Sequence, residues 1–313
     1  MNKALIFLSL LFLTQLTKAQ MGSQDMSQLR GIENATINVI LYDDDCKKCH
    51  SEAAANASLR KAVDSFFKVS PNINYIKLTK ENRKELKDDD TEKYFLEMHT
   101  KQVVHEQKSG NIVRKSYTYL HYLYLTKRKY KIGIVKMMKN GILAGYRLGE
   151  TPFNFDPDVY DLYPFAVKVL NAYLEDAMEY KTLKPEIIAN NNWRKKRVEK
   201  VQIFRGFTGK KGKNVEDITA AIKAPVEFLG FNEILQKIYT QDPEENAIFI
   251  TPNKDISSGK DSRGTFYYYL DLATGKMYFK QEIKGIKFKY FGKKDLEKMA
   301  LTINGKYSTK RKK

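Results

Sequence analysis

The chain has 313 residues, enough for about two domains of ordinary size. Apolar residues make up 42% and aromatic residues 12% of the chain, which supplies material for a core and argues against a disordered chain. Lys and Arg outnumber Asp and Glu by 55 to 37, and the net charge of +18 favours association with an anionic partner. Charge of this kind bears on partners and not on the fold.

The first residues have the pattern of a bacterial secretory signal peptide. Lys3 gives a positive start, and residues 4–13 are almost wholly apolar. The small residues Thr17 and Ala19 lie three and one positions before a cut after Ala19. The apolar stretch is shorter than the ~18 residues that span a bilayer. We therefore predict removal of residues 1–19 and a periplasmic or secreted protein with no transmembrane span in its mature chain.

Residues 20–35 are polar and predict a linker. Residues 36–148 alternate between strand and helix patterns, which predicts an α/β domain with added antiparallel strands. The predicted helices of this domain cover residues 46–68 and 80–98. Its predicted strands are, in chain order, 37–42, 73–78, 102–107, 111–117, 117–125, 130–138 and 142–148.

A polar segment rich in proline, residues 149–161, predicts a linker between two domains. We expect residues 162–313 to form an α+β domain with an antiparallel sheet and a basic tail, which makes the whole chain α+β. The predicted helices are 164–180, 226–240 and 293–303, and the predicted strands are 201–207, 247–251, 265–270, 276–282 and 286–291. The sequence contains no recognisable internal repeat.

The only two cysteines lie in the sequence Cys46-Lys47-Lys48-Cys49-His50, after the first predicted strand. In an exported protein such a pair can cycle between dithiol and disulfide, and the start of a helix favours the thiolate. The same spacing followed by His50 is also the attachment motif of c-type haem, with His50 as the proximal ligand. An inert disulfide or a pair of packed thiols is the third interpretation. The candidate distal haem ligands are Met98, His99, His105 and His121.

The order strand, Cys-x-x-Cys helix, strand, helix and hairpin over residues 37–117 resembles the thioredoxin-like fold. Residues 42–49 also resemble the start of small Asp-Cys-x-x-Cys thiol oxidoreductases, and residues 102–113 resemble the third and fourth strands of that fold. The resemblance implies that Cys46 is the nucleophile and Cys49 the resolving thiol. We therefore predict an exported thioredoxin-like protein of the cell envelope that performs thiol–disulfide chemistry without a cofactor.

Two other functions stay open, and one of them is the c-type haem protein. The other is a non-catalytic interaction or envelope-assembly protein. Residues 263–294 interleave nine aromatic residues with eight Lys or Arg residues, which suits binding to an anionic envelope component or to another envelope protein. The same segment also suits an antiparallel sheet with one buried aromatic face. Nucleic acid is not an expected partner of an exported protein.

Overall fold

The computed structural model describes residues 26–42, 52–109, 112–131, 142–151, 161–205, 215–255, 264–284 and 293–307. These residues form two compact units that divide between Pro185 and Glu186. Each unit contains a five-stranded mixed sheet and its own helices. The sequence prediction of an α+β protein is therefore confirmed. Within the described ranges, no helix combines the length and the apolar character needed to cross a membrane.

The first unit is built around strand β1. Its elements in chain order are β1 (Ile37–Leu41), α1 (Glu52–Phe66), β2 (Ile73–Lys77), α2 (Lys80–Asp88), β3 (Lys93–Ser109), β4 (Ile112–Arg128), β5 (Ile142–Thr151) and α3 (Tyr163–Glu179). The strand order is β2-β1-β3-β4-β5. β1 is parallel to both of its neighbours, and β3, β4 and β5 form an antiparallel meander.

Helices cover both faces of this sheet. β2 lies on one side of β1 and β3 lies on the other, so the connections β1–α1–β2 and β2–α2–β3 run in opposite directions across the sheet. Because such connections are right-handed, they place α1 and α2 on opposite faces. Leu86 of α2 packs against Ile40 and Phe95 on one face. On the other face α3 is fixed to the end of α1, because Asn171 Oδ1 accepts the backbone N–H groups of Lys68 and Val69 at 2.6 and 3.0 Å.

The second unit begins with helix α4 (Pro185–Lys195). The elements that follow are β6 (Lys200–Phe204), α5 (Val215–Ala221), β7 (Val226–Leu229), α6 (Phe231–Thr240), β8 (Ala247–Asp255), β9 (Gly264–Leu270), β10 (Met277–Lys284) and α7 (Lys293–Asn304). The strand order is β10-β9-β8-β6-β7. β6 is parallel to β7 and β8, and β8, β9 and β10 are antiparallel.

The two units repeat one architecture. β6 to β10 correspond in order to β1 to β5, because both the strand order and every strand direction match. The helices match as well: Ile218 of α5 and Met299 of α7 share one core with β6. Gln202 lies on the opposite side of β6 and donates a hydrogen bond to Gln241, at the end of α6. The chain thus contains a structural repeat that its sequence does not reveal.

Several predicted boundaries differ from the structure. The division between the units lies at Pro185 and Glu186 and not at residues 149–161, because α3 packs against α1 and so belongs to the first unit. β3 begins at Lys93, so the residues predicted to end a helix at 98 form a strand. β7 occupies Val226–Leu229, where the start of a helix was predicted, and α4 and α5 were not predicted.

The direction of β3 differs from that of the third strand in the thioredoxin-like fold that the sequence resembles. The strand order β2-β1-β3-β4 has β1 at its centre, with the cysteine segment following β1. A thioredoxin-like sheet has its third strand antiparallel to the first, whereas β3 is parallel to β1. The predicted strand 286–291 and most of the strand 130–138 lie outside the described residues.

Candidate functional site

The candidate site lies at the carboxyl end of β1. From β1 the chain connects to β2 on one side, whereas β3, on the other side, continues to β4. Ligand sites in open sheets of parallel strands form where connections diverge in this way, beyond the carboxyl ends of the strands. Residues 43–51 leave β1 at this edge and lead to α1. They contain Cys46, Cys49 and His50, which all lie outside the described residues.

One side chain joins the two ends of this segment. The backbone N–H of Tyr42 donates to Asn56 Oδ1 at 2.8 Å, and Asn56 Nδ2 donates to the carbonyl oxygen of Tyr42 at 3.1 Å. Asn56 is only 8% exposed, so water competes weakly for these bonds. The end of β1 and the start of α1 are therefore held together.

β1 itself is a rigid base for this connection. All five of its residues are buried between its two neighbouring strands and the helices. Asn38 Nδ2 donates to the carbonyl oxygen of Tyr94 at 3.1 Å, and Asn74 Nδ2 donates to Asn38 Oδ1 at 3.0 Å. The N–H of Leu78 donates to the carbonyl oxygen of Leu41 at 3.0 Å, which fixes the last residue of the strand.

Two candidate haem ligands lie on β3 beside the end of β1. Leu96 is the partner of Val39, so Met98 and His99 follow at the level where β1 ends. Met98 Sδ accepts a hydrogen bond from the Tyr163 hydroxyl at 2.8 Å. The other candidates are placed differently: His121 is buried on β4 at 1% exposure, and His105 lies further along β3.

An aromatic cluster lies on the face of the sheet to which His99 belongs. The His99 ring lies 6.2 Å from the ring of Tyr124, which stacks on Tyr122 at 5.3 Å. Burial raises the pKa of Tyr124, and the neighbouring Tyr122 adds to the rise. The Tyr124 phenol therefore stays protonated at physiological pH and contributes packing and not charge.

The aromatic residues of β9 and β10 whose burial the structure describes belong to the core or pack against it. Tyr269 is completely buried, and its ring lies 5.4 Å from Phe279 and 6.2 Å from Trp193. Tyr268 is buried as well. Tyr269 and its partner Phe279 lie on one buried face of these antiparallel strands, whereas Tyr268, the neighbour of Tyr269 in β9, lies on the opposite face. The second interpretation of residues 263–294 predicted a buried aromatic face of this kind. Tyr268 and Tyr269 are therefore not available to stack on a partner.

Sequence reasoning did not identify Asn56 or Tyr163 as residues of the site. An asparagine inside a helix gives no signal of which backbone groups it binds, and Asn56 bonds to a residue 14 positions away. The contact of Tyr163 with Met98 joins residues 65 positions apart. Only the packing of α1 and α3 on the sheet brings these groups to the carboxyl end of β1.

The chain matches no family model, and no curated protein matches it. Among solved structures, the crystal structure of a neuraminyllactose-binding hemagglutinin homolog from Helicobacter pylori is similar at a TM-score of 0.18. The match has 9% sequence identity and covers 52% of this chain and 87% of that chain. A TM-score this low carries no argument about fold or function.

Proposed function

We propose that the protein is an exported protein of the cell envelope that exchanges disulfides with a partner through Cys46 and Cys49. The observation that carries the proposal is the pair of hydrogen bonds between Asn56 and Tyr42, which joins the carboxyl end of the buried strand β1 to helix α1 on either side of residues 43–51. Reactive groups need a rigid support of this kind. From the thioredoxin-like resemblance the proposal uses only the position of the pair between a central strand and the helix after it.

The chemistry proceeds in two exchange steps. The Cys46 thiolate attacks one sulfur of a partner disulfide, which forms a mixed disulfide and releases one partner thiolate. The Cys49 thiolate then attacks the Cys46 sulfur, which closes the Cys46–Cys49 disulfide and releases the second partner thiolate. The partner is reduced by two electrons and this protein is oxidised by two. The reverse sequence oxidises a partner dithiol.

The charge of the chain supports an anionic partner. With 55 basic and 37 acidic residues, the protein attracts acidic envelope components or acidic proteins over a Debye length of about 8 Å at physiological salt. Steering of this kind raises the rate of encounter. We expect binding to weaken as the salt concentration rises.

A c-type haem protein is the second candidate. It is supported by the position of Met98 and His99 beside the carboxyl end of β1, the edge from which His50 follows in sequence. In this alternative both cysteines carry thioethers and have no thiol to exchange. An absorption spectrum of the protein purified from the envelope of an expressing cell distinguishes the two, because covalently bound haem gives a strong Soret band.

Trapping of the mixed disulfide tests the proposal. Reduced wild-type protein and the variants Cys49→Ser and Cys46→Ser are incubated with oxidised glutathione and analysed by mass spectrometry. We expect Cys49→Ser to accumulate a glutathione adduct on Cys46 and the wild type to proceed to an internal disulfide. Cys46→Ser is the matched control and should react more slowly. Equal adduct formation in both variants, or a wild type without an internal disulfide, contradicts the proposal.

A further inference from the structure

The hairpin of β3 and β4 is longer than the repeated architecture requires. Each of these strands has 17 residues, whereas their counterparts β8 and β9 have 9 and 7. Every residue of β9 pairs on both sides, with β8 and with β10. The extra length in the first unit is therefore not needed to complete a sheet of this kind.

The additional residues form a two-stranded projection. β1 pairs with β3 only at residues 94–96, and β5 pairs with β4 only at residues 119–126. Within the described ranges, residues 103–109 and 112–118 pair only with one another. We call these two stretches the hairpin arm. Its seven residue pairs extend about 20 Å beyond the sheet at the usual rise of a strand.

The edges of the hairpin arm offer backbone groups to a further strand. Ser109 pairs with Ile112 across a two-residue connection, and such a closing pair exchanges both of its hydrogen bonds. Hydrogen-bonded pairs occur at every second residue of an antiparallel strand, so the backbone N–H and C=O groups of Gln107 and His105 also bond to β4. The N–H and C=O groups that point away from β4 belong to Val104, Glu106 and Lys108.

An isolated two-stranded ribbon is only marginally stable in water, and an open edge pairs readily with another chain. The edge on the β3 side is the longer one, since β3 continues for 13 residues after its last pairing with β1 at Leu96. A strand that pairs with this edge lies on the same side of β3 as β1, beyond the end of β1 at Leu41.

The charge of the hairpin arm indicates which charge a strand that pairs with it should carry. The arm contains three basic residues, Lys108, Arg114 and Lys115, and one acidic residue, Glu106. A second copy of the chain, at a net charge of +18, is repelled from this surface. We propose that the β3 edge of the hairpin arm binds an extended acidic segment of a partner protein by strand addition.

The test uses a labelled ten-residue peptide of alternating Thr and Glu, with a Thr and Lys peptide as the control. The protein is the full mature chain with Cys46→Ser and Cys49→Ser, so the result is independent of any thiol chemistry. Fluorescence anisotropy measures binding, and amide hydrogen exchange followed by NMR locates it. We expect only the acidic peptide to bind, with at least tenfold slower exchange at Val104 and Lys108 and no change at His105, whose N–H is already bonded.

Two variants at one position separate strand addition from simple charge attraction. Glu106→Pro removes an outward N–H and should weaken binding at least tenfold, and proline is tolerated at such an edge. Glu106→Ala removes the same charge but keeps the N–H, so it should bind at least as well as the parent. Equal binding by both variants, protection confined to β4, or no binding at millimolar peptide overturns the proposal. A dimeric parent whose outward amides are already protected overturns it in favour of a second copy.

Discussion

The two hydrogen bonds of Asn56 hold the end of β1 against the start of α1, and Asn56→Ala removes both of them. Each bond contributes about 1 kcal/mol net, and an unsatisfied buried partner costs about 1–3 kcal/mol. The two bonds join Asn56 to the N–H and the C=O of the half-buried Tyr42 at 2.8 and 3.1 Å. We therefore expect the free energy of unfolding of the first unit to fall by about 2–4 kcal/mol.

Urea unfolding followed by circular dichroism measures this loss, and hydrogen exchange of the Tyr42 amide locates it. Asn56→Asp keeps an acceptor for the Tyr42 N–H and loses the donor, so an intermediate loss is expected. Asn72→Ala is the matched control, because the exposed Asn72 makes a 3.2 Å bond to the carbonyl oxygen of Asn34 and should contribute less than about 0.5 kcal/mol. If Asn56→Ala is as stable as this control and the Tyr42 amide stays protected, the anchoring role is wrong.

Three further substitutions test the packing of each unit. Asn171→Ala should cost the first unit about 2–4 kcal/mol in urea unfolding, because two backbone N–H groups lose their acceptor, whereas Asn171→Asp keeps it. Lys196→Met should lower the free energy of unfolding of the second unit by about 3–5 kcal/mol, because Lys196 and Asp271 form a 3.2 Å ion pair at 5% and 3% exposure. The fluorescence of Trp193, the single tryptophan, follows this unfolding. Adding Asp271→Asn should restore part of the lost stability, because the unpaired buried charge is then removed. Burial raises the pKa of Tyr124 above its value of about 10 in the unfolded chain. The stability that the protonated phenol contributes is therefore complete below about pH 10 and is progressively lost as the pH rises above that value. Tyr124→Phe should flatten the alkaline part of the profile of unfolding free energy against pH.

The sequence predicted most element types of the first unit because its strands and helices differ in period. The strand at 37–42 and the helix at 46–68 correspond to β1 and α1. The error at residues 94–96 has a physical reason. This short apolar run follows a charged helical stretch, and three residues do not distinguish the end of a helix from the start of a strand.

The domain boundary and the repeat could not be read from the sequence. Pro164 was correctly placed in the first turn of a helix, but the sequence does not show which sheet that helix covers. Asn171 decides this through bonds to residues more than 100 positions away. The repeat consists of a shared strand order and shared strand directions. Many unrelated patterns of apolar residues are compatible with the same order and directions, so the two halves need not resemble each other in sequence. The cysteine pair was found by its motif alone, and the hydrogen bonds between Asn56 and Tyr42 emerged only from the structure.

The reduction potential of the Cys46–Cys49 pair tests the central proposal most directly. The mature protein is equilibrated in dithiothreitol buffers of graded ratio, and free thiols are counted by alkylation and mass spectrometry. A pair that exchanges disulfides with partners should titrate as a two-electron couple between about −270 and −120 mV. A disulfide below about −300 mV is an inert structural bond. That result, or a protein with no thiol to titrate, contradicts the proposed function.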